Sequence, residues 1–257
     1  HLAGLCRNTL RYNLKCGSDN QLRERMKEFA QKHRKFGSPR LHVLLKREGL
    51  VINHKRTERI YKEEGLSLRR RKRRRKASVI RIKPDAPTAP NQKWSMDFVH
   101  DQLAGGRRLR CLNIVDDYTR ECIAIEVDTS LNGQRVARVL DRLAYVRGLP
   151  LVITVDNGPE FAGKTMDAWA YKNKVKLDFI TPGKPIENAY IESFNGKFRE
   201  ECLNDNWFFT IWNARDIIEL WRIHYNSKRP HSSLDFLTPD EYKHKWMASQ
   251  GQAPVNV

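Results

Sequence analysis

Apolar positions in the first third of the chain recur at helical spacing. Between about Asp19 and His33, the residues Leu22, Met26, Phe29 and His33 fall every three to four positions with polar residues between them, which predicts an amphipathic helix. Ser38-Pro39 opens a second helix, since serine can cap and proline is tolerated in a first turn; Leu41, Leu44 and Leu45 give it an apolar side up to a stop at Gly49. A third starts at Asn53 and runs through Ile60 to Gly65. Two short helices with Gly49 in the turn between them predict a helix-turn-helix. Lys55, Arg56 and Arg59 crowd the last helix, either as a DNA-facing surface or as the solvated side of a small domain.

Beyond the Pro-rich stretch 84–90 the period changes. KWSMDFV (93–99), LRCLNIVDD (109–117) and CIAIEV (122–127) predict three strands, with Asp116-Asp117-Tyr118 as a hairpin turn. An amphipathic helix carrying Val136, Val139, Leu140 and Leu143 ends at Gly148. Then come a buried strand (151–155), a helix over about 165–173, a strand (175–180) and a helix from about 186–188 past Arg199. Trp212, Trp221 and Tyr225 read as packing of further helices, and Arg229 and His231 as part of that packing before any DNA surface. This order matches, by analogy, an α/β fold of the ribonuclease-H-like type: a five-stranded mixed sheet with flanking helices, preceded by a small all-α helix-turn-helix domain.

Charge sharpens the division. Residues 1–92 hold 26 Lys and Arg against 8 Asp and Glu, an excess equal to the chain's whole net charge of +18. Eight cations are consecutive, Arg69, Arg70, Arg71, Lys72, Arg73, Arg74, Arg75 and Lys76, a run that repels itself until it meets a polyanion. The five cysteines form no C-x-x-C pair, so neither a zinc ribbon nor a disulfide framework is expected. No apolar run reaches the roughly 18 residues of a membrane span, and no signal peptide is evident, so a cytoplasmic location is expected.

Three carboxylates stand out. Alternation along the first strand puts Ser95, Asp97 and Val99 on one face and Trp94, Met96 and Phe98 on the other, so Asp97 needs a compensating partner. Asp156 ends the apolar strand LVITV, where open α/β sheets present ligand-binding residues, and Glu192 lies among Ile191, Phe194 and Phe198 on the late helix. Asp116 and Asp117 suit a turn; Glu160 and Glu187 are neighbours left outside the set. Spacing alone, with 58 residues between the first two and 35 between the last, is a weak signal, and a ribonuclease-H-like nuclease that only hydrolyses is the runner-up reading.

These residues sit in the stretches WSMDFV, VDNGPEF and ENAYIESFNGKFREECL, followed by HYNSKRPHSSLDFLTP. With all four in order, the chain resembles the second-frame (OrfB) transposases of the insertion-sequence-three group, relatives of retroviral integrase in the DDE superfamily, over about Ser18 to Trp246. The resemblance implies that Asp97, Asp156 and Glu192 are catalytic and hold two Mg²⁺ or Mn²⁺ ions. It implies DNA strand cleavage and strand transfer at the ends of a mobile element. Double-stranded DNA (terminal inverted repeats and target) would be the substrate, a homo-oligomer on DNA the working form, the first-frame (OrfA) product a further partner, and the bacterial nucleoid the place. It also singles out Arg199, which seven helical steps return to the face of Glu192, as a phosphate holder. Asn195 and Gly196 share that side, and a close approach of DNA would explain the glycine. The expected domains are 1–76 (helical DNA-binding arm), 77–92 (linker), 93–246 (catalytic core with C-terminal helices) and 247–257 (tail). A start at His1, with Met26 the first methionine, is expected of a fragment or the distal half of a fused product.

One measurable consequence follows from the charge division. Replacing Arg69–Lys76 by Ser and Gly should flatten the log–log salt slope of duplex DNA binding by several units, at about 0.9 per lost phosphate contact. A fragment of residues 93–257 should show a similarly shallow slope; an unchanged slope in both would make the basic run a bystander.

Overall fold

The computed structural model describes residues 19–68, 86–181 and 188–251, so the basic run Arg69–Lys76 lies outside the described residues. The chain divides into two compact units, residues 1–73 and 74–257.

The first unit holds α1 (Asn20–Lys32), α2 (Ser38–Arg47) and α3 (His54–Glu63). Leu22, Met26, Phe36, Leu41, Leu45, Val51, Ile60 and Tyr61 form its core. Gly49, at φ 73°, and Gly65, at φ 67°, supply the left-handed turns after α2 and α3 that other residues adopt only with strain. Asn53 caps α3 by accepting from the Lys55 amide at 3.0 Å. The cap of α2 is Gly37, one residue earlier than the sequence pattern indicates, with Ser38 already helical. Arg56 and Arg59 on α3 both reach Asp19 ahead of α1, through Nε at 2.9 Å and Nη2 at 2.9 Å respectively. Lys55 is exposed in the first turn of α3.

The second unit runs β1 (Lys93–Gln102), β2 (Arg108–Asp116), β3 (Cys122–Asp128), α4 (Gly133–Arg147), β4 (Val152–Val155), α5 (Lys164–Asn173), β5 (Lys176–Phe179), α6 (Ala189–Glu201), α7 (Ile211–Ser227) and α8 (Pro239–Ser249). Its sheet has the order β3-β2-β1-β4-β5, antiparallel among the first three strands and parallel from β1 to β5. Both faces are covered. Trp94, Met96, Leu112, Ile114 and Ile153 pack with Val136, Leu140, Met166 and Trp169 of α4 and α5. Val99, Cys111, Val115 and Val127 pack with Ile191, Phe194, Phe198 and Ile218 of α6 and α7. No helix among the described residues is long and apolar enough to cross a membrane.

One sequence reading changes here and another holds. Asp116 and Asp117 are no ordinary surface turn, for both are buried. Asp116 accepts the backbone amides of Asn91 at 2.8 Å and of Tyr118 and Thr119 at 2.9 Å, and faces Arg147 at 3.5 Å. One carboxylate thus ties the segment entering β1 to the β2–β3 turn and the end of α4. Arg229 and His231 belong to packing, as the sequence suggested: Arg229 pairs with Glu201 at 2.6 Å, and His231 stands edge-on to Tyr225.

Asp116→Ala should therefore strip several buried donors of their acceptor and cost about 2–4 kcal/mol in urea unfolding. Asp116→Asn keeps acceptor capacity and should cost less; a loss under about 1 kcal/mol in the alanine variant would contradict this anchoring role.

Candidate active site

Strand pairing brings the first two candidate carboxylates together. The parallel β1–β4 register places Ser95 opposite Thr154. Asp97 lies two residues beyond that pair on β1, Asp156 two residues beyond it just past the end of β4, and the Asp156 charge acts on the Asp97 carboxyl. Asp156 follows the last residue of β4, and its Oδ1 accepts the Gly158 amide at 3.0 Å. A Cβ on Gly158 would stand 2.9 Å from that oxygen, so a side chain there would push the Asp156 carboxylate out of place. The Asn157 amide ties the same turn to the Ile180 carbonyl beyond β5, at 2.8 Å. Glu192 projects, exposed, from the first turn of α6, where the helix dipole favours a negative charge. Its helix is anchored below by Ile191, Phe194 and Phe198, with Phe194 edge-on to Tyr225 at 5.0 Å.

Asp97 is the electrostatic centre. It points to the face that α6 covers, accepts its neighbour Phe98's amide at 2.7 Å, and accepts the Asn195 Nδ2 at 2.7 Å. The Asn195 Oδ1 in turn accepts the Asn113 Nδ2 at 2.7 Å, and Asn113 lies directly across β2 from Asp97. Burial pushes the Asp97 carboxyl up to about 6; the charges of Asp156 and Glu192 act in the same direction, against the two hydrogen bonds. Asn113 escaped the sequence reading, although an amide inside the apolar run LRCLNIV was the signal to weigh. Its Oδ1 is buried without a hydrogen-bond partner.

The other sequence candidates fall in several places. Arg199 is exposed in the last turn of α6, and its Nη2 donates to the His100 carbonyl at 3.1 Å. Asn195, expected on a DNA-facing side, has both halves of its amide engaged between Asp97 and Asn113. A Cβ at Gly196 would meet nothing within 4 Å, so packing within the chain does not demand the glycine. Arg56 and Arg59 sit in the other compact unit, on Asp19. Among the described residues no three His, Cys, Asp or Glu side chains stand close enough together to hold a metal ion as they lie. The donor set still fits a hard divalent cation: all three are carboxylates, and Asp97 ionises against burial and like charge, a penalty a cation relieves.

Comparison with known proteins accords with this geometry. Two family models described as Integrase core domain match residues 87–185 and 173–239, and one described as HTH-like domain matches 18–74. The chain is 49% identical over 249 residues to an insertion element IS407 uncharacterized 31.7 kDa protein of Burkholderia multivorans, covering 96% of this chain and 90% of that protein. It is 26% identical to a putative transposase, InsK, for insertion sequence element IS150 of Escherichia coli, over 95% of this chain and 91% of that one. Among solved structures, a simian T-cell lymphotropic virus intasome in complex with the PP2A regulatory subunit B56 gamma matches with a TM-score of 0.54 at 14% identity, covering 85% of this chain and 74% of that chain. The last likeness shows the fold.

The state of Asp97 yields a stability test. Its folded value of about 6 lies above the ordinary 3.8, so ionising it works against the fold. The metal-free protein should lose stability as pH rises from about 4 through 6, by up to about 3 kcal/mol from this group. Asp97→Asn should remove that dependence and raise the melting temperature at pH 7 by about 4 °C or more. Both Asn195 and Asn113 can turn their amides over to suit the new neighbour, because the Asn113 Oδ1 is unpartnered. A variant that melts lower than the parent at pH 7 and higher at pH 4 would reverse the assignment.

Proposed function

This chain belongs to the insertion-element transposases with an integrase core domain, in the retroviral-integrase-like DDE superfamily, and we propose that Asp97, Asp156 and Glu192 carry its chemistry. It is a polynucleotidyl transferase of DNA transposition, and its class depends on divalent metal. The observation that supports the site assignment is Asp97, a half-buried carboxylate raised first by burial and then by the charges of both other candidates.

We propose Mg²⁺ or Mn²⁺, in two ions, as the metal these carboxylates hold. A divalent cation so held supplies positive charge to a phosphodiester and to the oxygen that attacks it. The chain's own groups do the rest. Phe98 and Asn195 fix the Asp97 carboxylate in one orientation, and the Gly158 amide does the same for Asp156. The aromatic anchor under α6 holds Glu192 and Arg199 on one rigid helix, and Arg199 is placed to exchange a carbonyl partner for a DNA phosphate. Water attacks first at the element's end and frees a 3′-OH. That hydroxyl then attacks a new phosphodiester; in this second step one such bond is made for the one broken, so joining needs no ATP. The substrates are the terminal inverted repeats and target DNA within the bacterial nucleoid. The helix-turn-helix unit and the run Arg69–Lys76 grip the duplex. A homo-oligomer assembled on DNA, joined by the first-frame (OrfA) product, is the working form.

Asp97→Asn, Asp156→Asn and Glu192→Gln should each lower strand cleavage of terminal-repeat DNA by roughly 10³-fold or more while leaving the circular dichroism spectrum unchanged. Strand transfer from a pre-cut end should fall equally. A fully active Glu192→Gln protein would remove Glu192 from the site, and cleavage without any strand transfer by the parent would mark a hydrolase instead.

A further inference from the structure

On the sheet face away from Asp97, a second pair of charges lies beneath the site. Arg110 of β2 and Glu160 of the turn after Asp156 meet at 2.8 Å, each side chain about one-fifth exposed. The Arg110 guanidinium lies 4.3 Å over the Phe98 ring, and Phe98 stacks on Phe161 at 5.0 Å and 19°. The buried Arg110 Nε has no hydrogen-bond partner. An arginine that accepts this desolvation is held by its remaining contacts, Glu160 and the ring. Burial acts to raise the Glu160 carboxyl, but the bond and charge of Arg110 outweigh it and hold the group below its ordinary value.

These contacts link the two strand-borne carboxylates. Phe98 donates its amide to Asp97 and lends its ring to Arg110 and Phe161. The Phe161 and Ala162 amides both donate to the Gly158 carbonyl, at 3.0 and 2.9 Å, and the Gly158 amide donates to Asp156. From the other side α4 closes in, since a Cβ on Gly133 would stand 2.9 Å from the Glu160 carbonyl oxygen. The turn is therefore gripped by β1 and β2 through Phe98 and Arg110, and by α4 through Gly133. We propose that Arg110 and Glu160 are a positioning pair that sets the separation of Asp97 and Asp156, and with it the site's affinity for its divalent cation. The proposal rests on the assignment of those two carboxylates as metal ligands. In this proposal Glu160 acts through the turn that carries Asp156 and is not itself a metal ligand.

The test is Mn²⁺ binding to the full chain without DNA, followed by calorimetry or by the loss of free-Mn²⁺ electron paramagnetic resonance signal. Glu160→Ala and Arg110→Met should each weaken Mn²⁺ binding by about tenfold, as loss of a supporting partner around a metal site does. Arg110→Lys, which keeps a cation over the ring and beside Glu160, should bind nearly as the parent. The double variant Arg110→Met/Glu160→Ala should be no weaker than the worse single one, because the two act as a unit. If the single variants melt lower yet bind Mn²⁺ like the parent wherever they are folded, the pair is merely structural and the proposal fails. Asp97→Asn separates the two levels of inference. Lost binding in Asp97→Asn beside parental binding in the pair variants overturns the pair alone, whereas parental binding in Asp97→Asn overturns the carboxylate assignment and the pair with it.

Discussion

A carboxylate directed into a helix-covered sheet face is the constraint around which the second unit is arranged. Strand alternation leaves Asp97 no exit, since its neighbours Trp94, Met96 and Phe98 fill the opposite face. A buried charge must be offset by hydrogen bonds, an opposite charge or a metal. The Phe98 amide and the Asn195–Asn113 relay supply the first of these. Satisfying Asp97 in this way requires α6 to cross β1 and β2 in one rotational setting, and that same setting fixes Glu192 at the helix start and Arg199 near its end. The setting of α6 against the sheet thus follows from one solvation problem.

Much of the architecture was legible in the sequence because period is a local property. Helical spacing of Leu22, Met26 and Phe29 and strand alternation in KWSMDFV correspond to α1 and β1 within one to three residues. The five-stranded sheet with flanking helices follows from the order of such elements. The candidate carboxylates were visible for the same reason, one set in an apolar strand, one at a strand end, one on an amphipathic helix. What period cannot provide is the partner across a long loop. Asn195 lies 98 residues from Asp97 and 82 from Asn113, so helical spacing gave its face but not what covers that face. Asp116 illustrates the converse, because good turn chemistry concealed an anchor reaching back to Asn91.

Charge shows the same limit. Composition located the basic excess in the first third of the chain, and counting cannot tell a cation awaiting DNA from one already engaged. Arg110 is engaged with Glu160 and an aromatic ring at nearly no solvent exposure of its Nε, while the exposed Arg199 rests on a single backbone carbonyl. Exposure and the nature of the partner distinguish the two arginines.

The pairing of Asp19 with Arg56 and Arg59 bears on how the first unit meets a polyanion. Exposed ion pairs of this kind contribute at most about 1 kcal/mol, so the carboxylate is readily displaced. Until then Asp19 behaves as a tethered counterion, occupying positions that dissolved ions would otherwise fill. Its displacement releases nothing into solution, so a duplex that takes over these two arginines gains less entropy from ion release than two bare cations would give. On the proposed reading in which α3 faces DNA, Asp19 therefore lowers what Arg56 and Arg59 contribute through ion release.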